Sequence, residues 1–169
     1  GRDVDPQAGV KYLDLVQKTM NEVGIGHIAT ISGRYWAMDR DKNLDRIDVS
    51  YRVLVDHDGN SYEDYHKYLL DQYDYLPTTG KEASDEFVIP AYQKGLNSQI
   101  EDGDSIIFMN FRPDRAIQIA TLFTNPEFYA HPSKKDDGTD AWKAYSPKHP
   151  LKDIHFVCTM KYADSVKGS

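Results

Sequence analysis

Residues 105–125, SIIFMNFRPDRAIQIATLFTN, join a nearly continuous apolar run to a helical repeat of apolar residues, and this combination constrains the fold most. The run at 105–111 is short and rich in Ile and Phe, which predicts a strand that a layered fold buries on both faces. Pro113 suits the first turn of a helix because it lacks a donor N–H, and Asn125 suits the helix end. We therefore predict a strand, a tight turn and a helix in succession.

Strand and helix patterns alternate along the rest of the chain. The predicted helices run from Asp5 to Gly24, from Asn43 to the HDGN turn at 57–60, and from Ser61 and Asp64 through Tyr73. The predicted strands or extended segments cover 25–32, 86–92 and 153–162. The predicted loops cover 33–43, 76–84 and a proline-rich excursion at 125–153.

This alternation predicts an α/β fold, a layered sandwich with a largely parallel central sheet flanked by helices. A length of 169 residues suits one domain, which we place at 1–169. The chain begins in what resembles a strand-to-helix turn with no strand before it, and it stops just after a strand. We therefore expect it to be a piece of a longer protein.

The charge and cysteine content narrow the range of partners and compartments. A formal net charge of −7 argues against nucleic acid or an anionic membrane as the main partner, because phosphate-backbone binding needs a broad basic surface. No apolar run has membrane-spanning length, and no signal segment leads the chain. The single cysteine, Cys158, lies in an apolar run, which favours a buried thiol. These features predict a cytoplasmic protein.

Arginine is scarcer than lysine, and five of the seven arginines lie in turns that follow a strand or open a helix. These five are Arg2, Arg34, Arg40, Arg112 and Arg115. The other two, Arg46 and Arg52, fall inside a predicted helix, where solvent-facing ion pairs explain them. Such turns on a parallel sheet face one edge, where five guanidiniums would repel one another unless an anion joined them. The pattern predicts a site for a small, multiply charged anion near helix N-termini. The alternative is a set of surface ion pairs, for example with Asp114.

Four carboxylates, Asp3, Asp39, Asp41 and Asp114, accompany these arginines, and we expect most of them to orient guanidiniums. Asp3, beside Arg2 at a helix start, is the candidate that would take a proton from a substrate hydroxyl. Tyr35 and Trp36 either line the site or pack in the core.

The six histidines do not predict a metal site, because their spacings are unlike those of zinc ligands. His27 and His155 fall in predicted strands, where we expect ordinary hydrogen-bonded side chains. The sequence also contains no G-x-S-x-G elbow, P-loop or G-x-G-x-x-G phosphate loop. A self-contained nucleophilic triad or nucleotide site is therefore not expected.

Three motifs resemble the cofactor-independent (2,3-bisphosphoglycerate-independent) phosphoglycerate mutases: GRDVDP at 1–6, TISGRYWAMDRDKN at 30–43 and DSIIFMNFRPDRAIQI at 104–119. Their order and spacing match across the chain, with Trp36 in place of the family's second tyrosine. The resemblance implies an isomerase that interconverts 2-phosphoglycerate and 3-phosphoglycerate in glycolysis by phosphotransfer. This chain resembles most of the transferase domain, which is inserted in a phosphatase domain.

The resemblance also implies roles for individual residues. Six of them would bind the phosphoglycerate: Arg2, Asp3, Arg34, Arg40, Arg112 and Arg115. Arg112 and Arg115 would grip the phosphate, and Asp3 would assist proton transfer at the glycerate hydroxyls. A non-catalytic small-anion-binding α/β module is the alternative function.

The catalytic serine and its metal ions are implied for the other domain. In this family a serine beside two Mn²⁺ ions accepts the phosphate, and both the serine and the metal ligands belong to the phosphatase domain. The implied partners are therefore 2- or 3-phosphoglycerate and the phosphatase domain of the same polypeptide. We expect no metal in this chain and no activity from the chain alone.

Overall fold

The structure, a computed structural model, describes residues 3–167, in which helices alternate with short strands. The α-helices are α1 Gly9–Val23, α2 Arg34–Ala37, α3 Leu44–Asp56, α4 Tyr65–Tyr75 and α5 Ile117–Thr124. The strands are β1 Thr30–Ile31, β2 Asn60–Tyr62, β3 Ala91–Gln93, β4 Ser105–Phe108 and β5 His155–Cys158. Single 3₁₀ turns occupy Leu76–Thr79, Asp85–Phe87, Pro113–Arg115 and Pro126–Ala130.

The strands form two small sheets. In the first, β3 lies in the centre, antiparallel to β1 and parallel to β2. In the second, β4 and β5 pair in parallel. The α/β class is confirmed, but the largely parallel central sheet is confirmed only in part, because the described strands lie in two separate sheets and one pairing is antiparallel. The assignment of residues 1–169 to a single domain stays a prediction.

Each sheet has its own hydrophobic cluster. Around the first sheet, Ile31, Tyr62 and Leu69 are buried together. The second cluster is larger and joins α3 and α5 to β5, with Ile47 and Leu122 completely inaccessible to solvent. Because α3 and α5 carry this core, they fix the turns that precede them.

Local capping signals explain where the helices begin and end. The Asp64 side chain accepts a hydrogen bond from the His66 backbone N–H (2.8 Å) at the start of α4, as a helix cap does. Asn43 precedes α3 without a side-chain cap bond. α1 ends at Gly24, whose φ of 74° is left-handed. The Asp5 carboxylate accepts from the Gln7 N–H (2.9 Å), as a cap would, but residues 6–8 form a turn closed by the Ala8 N–H and the Asp5 carbonyl (3.0 Å), and α1 begins only at Gly9.

Other predicted boundaries were wrong. Ser61 lies in β2 instead of opening α4, and the strand predicted over 25–32 contains only Thr30–Ile31. The segment 33–43 was predicted to be a loop, but α2 forms one helical turn within it. The cause is that a four-residue helix is too short to show a helical repeat.

The prediction that the strand at 105–111 is buried on both faces was wrong. β4 ends at Phe108, and Ile107 and Phe111 are 71% and 81% exposed. Within the described residues β4 pairs with β5 alone and packs against the core through one face, so its burial alternates.

The predictions for three polar side chains also need correction or refinement. His27 is exposed and lies outside the strands, while His155 lies in β5 as predicted but is exposed. Cys158 is half-buried against the larger core, and burial raises the pKa of its thiol.

No helix in residues 3–167 combines the length and the apolar character needed to cross a bilayer.

The proline-rich excursion at 125–153 folds over the larger core. Trp142 is buried and donates its indole N–H to the carbonyl of Tyr129 (3.2 Å). An isolated antiparallel bridge joins Lys134 and Asp140, as in a hairpin. The excursion therefore contributes aromatic side chains to the core that supports α5.

Candidate functional site

Two of the three predicted arginine turns meet between α2 and α5. Arg115 Nη1 donates to the carbonyl of Met38 (2.9 Å), which joins the FRPDR turn to the segment after α2. Asp114 lies between two arginines, with Oδ2 at 3.2 Å from Arg40 Nη1 and Oδ1 at 3.4 Å from Arg112 Nε. The guanidiniums of both arginines reach solvent. This part of the molecule therefore contains both arginines that were predicted to lie together and the ion pairs with Asp114 that were the alternative prediction.

The backbone between these turns is organised by Asp39, whose carboxylate is buried (3% exposed). Oδ2 accepts from the backbone N–H groups of Asp41 and Asn43 (both 2.9 Å) and from the Gln118 side chain (3.0 Å). Oδ1 accepts from the Asn43 side chain (2.9 Å) and from Arg46 (3.4 Å). Burial alone would raise the pKa of Asp39, but the hydrogen bonds from Asn43, Gln118 and Asp41 outweigh it and lower the pKa below its usual value.

Asp39 thus ties the Arg40 turn to the start of α3 and to α5. Its carboxylate stays ionised at neutral pH and satisfies the donors that the turn would otherwise bury unpaired. The sequence placed Asp39 among the carboxylates that orient guanidiniums; its contact with Arg46 fits that description, while most of its hydrogen bonds come from the backbone and from amides.

Arg34 begins α2 and faces a carboxylate from a distant part of the sequence. Its Nε lies 3.5 Å from Glu86 Oε1, and this buried Nε has no hydrogen-bond partner among the described residues. The approach is close because Gly33 lacks a side chain, and a Cβ there would come within 2.4 Å of the Glu86 carbonyl oxygen. Trp36 adds a hydrogen bond from its indole N–H to the Phe87 carbonyl (3.1 Å).

The N-terminal turn packs against the acidic segment Ser84–Val88, which contains Glu86. The backbone N–H of Gly9 donates to Asp85 Oδ2 (2.8 Å), and the Asp85 N–H donates to the Pro6 carbonyl (2.8 Å). Asp3 is exposed with a φ of 63°, and Arg2 lies outside the described residues. The substrate-binding role of Arg2 and the catalytic role of Asp3 stay predictions.

Sequence reasoning missed two cations beside Tyr35. Arg46 and Lys81 lie over its ring at 4.2 Å and 4.1 Å from the centroid. Arg46 was assigned to a solvent-facing helix position, and Lys81 to a loop. Tyr35 also contacts the rings of Trp36 and Phe87, so it joins α2 to the acidic segment in addition to bordering the arginines.

The acidic residues Asp85 and Glu86 were missed as well. Their only sequence signal is the short stretch ASDEF, in which two carboxylates enter a 3₁₀ turn. Residues 3–167 contain no group of three or more His, Cys, Asp or Glu side chains that could hold a metal ion. The placement of two Mn²⁺ ions and their ligands in the phosphatase domain, which the family resemblance implies, stays a prediction.

Comparison with known proteins decides the family. Residues 1–164 match the family model described as BPG-independent PGAM N-terminus. The chain belongs to this family. Among curated relatives, a 2,3-bisphosphoglycerate-independent phosphoglycerate mutase from Listeria welshimeri is 39% identical over an alignment of 169 positions, and the match covers 98% of this chain and 29% of the relative.

A solved structure supports the fold of this BPG-independent mutase N-terminal region. A Leishmania mexicana phosphoglycerate mutase, crystallised at low cobalt concentration, superposes with a TM-score of 0.73 and 22% sequence identity. The match covers 96% of this chain and 28% of that one. The chain therefore spans less than a third of the length of the relatives it matches.

Proposed function

We propose that this chain is the phosphoglycerate-binding part of a 2,3-bisphosphoglycerate-independent phosphoglycerate mutase, which interconverts 2-phosphoglycerate and 3-phosphoglycerate. The observation that carries the proposal is family membership over residues 1–164, together with arginine turns that meet around Asp114. The full-length enzyme would be a cytoplasmic isomerase of glycolysis.

Arg112 and Arg115 provide the phosphate contacts in this proposal. Arg112 precedes the 3₁₀ turn Pro113–Arg115, Arg115 ends it, and the turn leads into α5, whose N-terminus favours negative charge. Arg112 and Arg40 share Asp114 at distances of 3.2–3.4 Å, close to the limit of hydrogen bonding. A phosphate carries more charge than one carboxylate and can accept bidentate contacts from both guanidiniums, so it can compete with Asp114 for them.

The remaining site residues would complete the contacts with the substrate. Arg34 and Arg40 would bind the carboxylate and the phosphate, and Arg2 would join them. Asp3 would take and return a proton at the glycerate hydroxyls. The phosphate-accepting serine and two Mn²⁺ ions are proposed for the phosphatase domain, which would meet this arginine surface as a partner within the same polypeptide.

Kinetics of the full-length enzyme test the phosphate assignment. Arg112→Lys and Arg115→Lys keep the charge but remove the planar fork, so kcat/KM should fall roughly tenfold to a hundredfold, as expected for a charged hydrogen bond of ~1.5 to 3 kcal/mol. Arg52→Lys is the matched control, because Arg52 pairs with Asp48 and Asp58 on the α3 side of the molecule.

The outcomes separate the two functions considered. Near wild-type kcat/KM in both variants would refute the phosphate contacts. A wild-type full-length protein that binds phosphoglycerate in a calorimetric titration but does not interconvert its isomers would instead support the non-catalytic small-anion-binding module.

A further inference from the structure

We infer that Glu86 is a positioning residue for the phosphoglycerate site, because it orients the Arg34 guanidinium while its neighbour Asp85 fixes the N-terminal turn. The inference rests on the proposed function. It assigns a role to the acidic segment Ser84–Val88, which lies about 50 residues from Arg34 in sequence and contains none of the arginines.

The segment packs against the start of α2 through backbone contacts. The Gly33 N–H donates to the Val88 carbonyl (2.8 Å), and the Trp36 indole donates to the Phe87 carbonyl (3.1 Å). A Cβ on Gly33 would clash with the backbone oxygens of Asp85 and Glu86, so the two backbones are in direct contact. The backbone of Glu86 is therefore held next to Arg34 by backbone contacts.

Glu86 faces the Nε side of Arg34. With Oε1 at 3.5 Å from Nε, the pair is electrostatic and lacks a hydrogen bond, and both side chains are largely shielded from solvent. A guanidinium presents donors along two edges, and a carboxylate beside Nε leaves the Nη1–Nη2 edge to meet an anion.

Asp85 holds the N-terminal turn in place through hydrogen bonds. Its carboxylate accepts from the Gly9 N–H at Oδ2 (2.8 Å) and from the Tyr73 hydroxyl at Oδ1 (2.5 Å). Its backbone N–H reaches the Pro6 carbonyl. Residues 84–88 thus connect the turn that follows Asp3 to the turn that carries Arg34.

A double-mutant cycle in the full-length enzyme tests the inference. Glu86→Gln keeps the shape of the side chain and removes its charge, so we expect kcat/KM to fall about threefold to thirtyfold, mainly through KM. In an Arg34→Lys background the same substitution should change kcat/KM less than twofold, because the group that Glu86 orients has already been removed. Glu63→Gln is the control, since Glu63 pairs with Lys94 (3.0 Å) on an exposed surface.

A merely structural role gives a different result. It would lower the melting temperature of Glu86→Gln and would reduce kcat/KM equally in the wild-type and Arg34→Lys backgrounds. Equal losses in both backgrounds, or no loss in either, would overturn the inference while leaving the mutase proposal intact. An inactive wild-type full-length protein would refute the mutase proposal itself.

An NMR spectrum of the 169-residue chain tests the inference without relying on catalytic activity. The Arg34 Nε–Hε resonance, assigned by its loss in Arg34→Lys, should shift in Glu86→Gln while the backbone spectrum away from Ser84–Val88 stays unchanged. An unshifted resonance would show that Glu86 does not orient Arg34.

Discussion

Replacing Asp39 by asparagine tests whether this buried carboxylate organises the Arg40 turn through its charge or only through its shape. The asparagine oxygen can take the place of Oδ2 and keep the bonds from Asp41, Asn43 and Gln118. Its amide nitrogen then faces Arg46 and the Asn43 side-chain amide, which were donors to Oδ1. Asn43 can rotate its amide to present oxygen, but Arg46 has no acceptor to offer.

The cost is therefore one charge-assisted bond and the repulsion between two donors. We expect Asp39→Asn to lower the free energy of unfolding by about 1.5 to 3 kcal/mol, and Asp39→Ala, which strands all the donors, by about 3 to 5 kcal/mol. Urea unfolding of the 169-residue chain at low concentration, followed by Trp36 and Trp142 fluorescence, measures both values. Asp71→Asn, in an exposed pair with Lys67, should change the same quantity by less than about 0.5 kcal/mol.

The pH dependence has a defined sign. Because the pKa of Asp39 is lowered in the folded state, its stabilisation is fully present above the unfolded pKa near ~3.9 and is lost as the pH falls through the folded pKa. The stability difference between wild type and Asp39→Asn should therefore shrink in acid. If Asp39→Asn unfolds within about 0.5 kcal/mol of wild type at pH 7, the argument from its charge is refuted.

Three further outcomes are expected. The 169-residue chain alone should not interconvert the phosphoglycerates in an enolase-coupled assay with Mn²⁺, because the family resemblance places the serine and metal ligands outside it; turnover abolished by a chelator would contradict this. The chain should self-associate in sedimentation at high concentration through the exposed side chains of Ile107 and Phe111, and Phe111→Ser should weaken that association, whereas a strictly monomeric wild type would contradict it. Gly33→Ala should lower the free energy of unfolding by about 2 kcal/mol or more, since its Cβ would meet backbone; a cost below about 0.5 kcal/mol would show that this contact relaxes freely.

The sequence predicts best what depends on neighbouring residues. Asp64 marks a helix start because its side chain caps the first turn, and Gly24 marks a helix end because its backbone is left-handed. Asn43 also precedes a helix, although its side chain makes no cap bond and donates to Asp39 instead. Strand length was overestimated because pairing depends on partners far away in the chain, and the apolar run at 105–111 does not reveal that only one of its faces is covered.

In the candidate site, too, features set by neighbouring residues were predicted and contacts between distant segments were not. The arginine turns around Asp114 were predicted from their positions after strands and before helices, and the structure brings two of them together. Glu86 and Lys81 could not be predicted, because their contacts with Arg34 and Tyr35 depend on how distant loops dock. No local pattern marks a residue whose partner lies dozens of positions away.

The pairing of β4 with β5 has a consequence for folding during synthesis. Ser105 is in register with His155, about 50 residues further along the chain. At about 5 to 20 residues per second, a ribosome needs roughly 3 to 10 s to deliver that partner after β4 has been made. Throughout this interval the nascent chain exposes an unpaired apolar strand directly before Arg112, so this is when a chaperone that recognises extended apolar segments would be needed most.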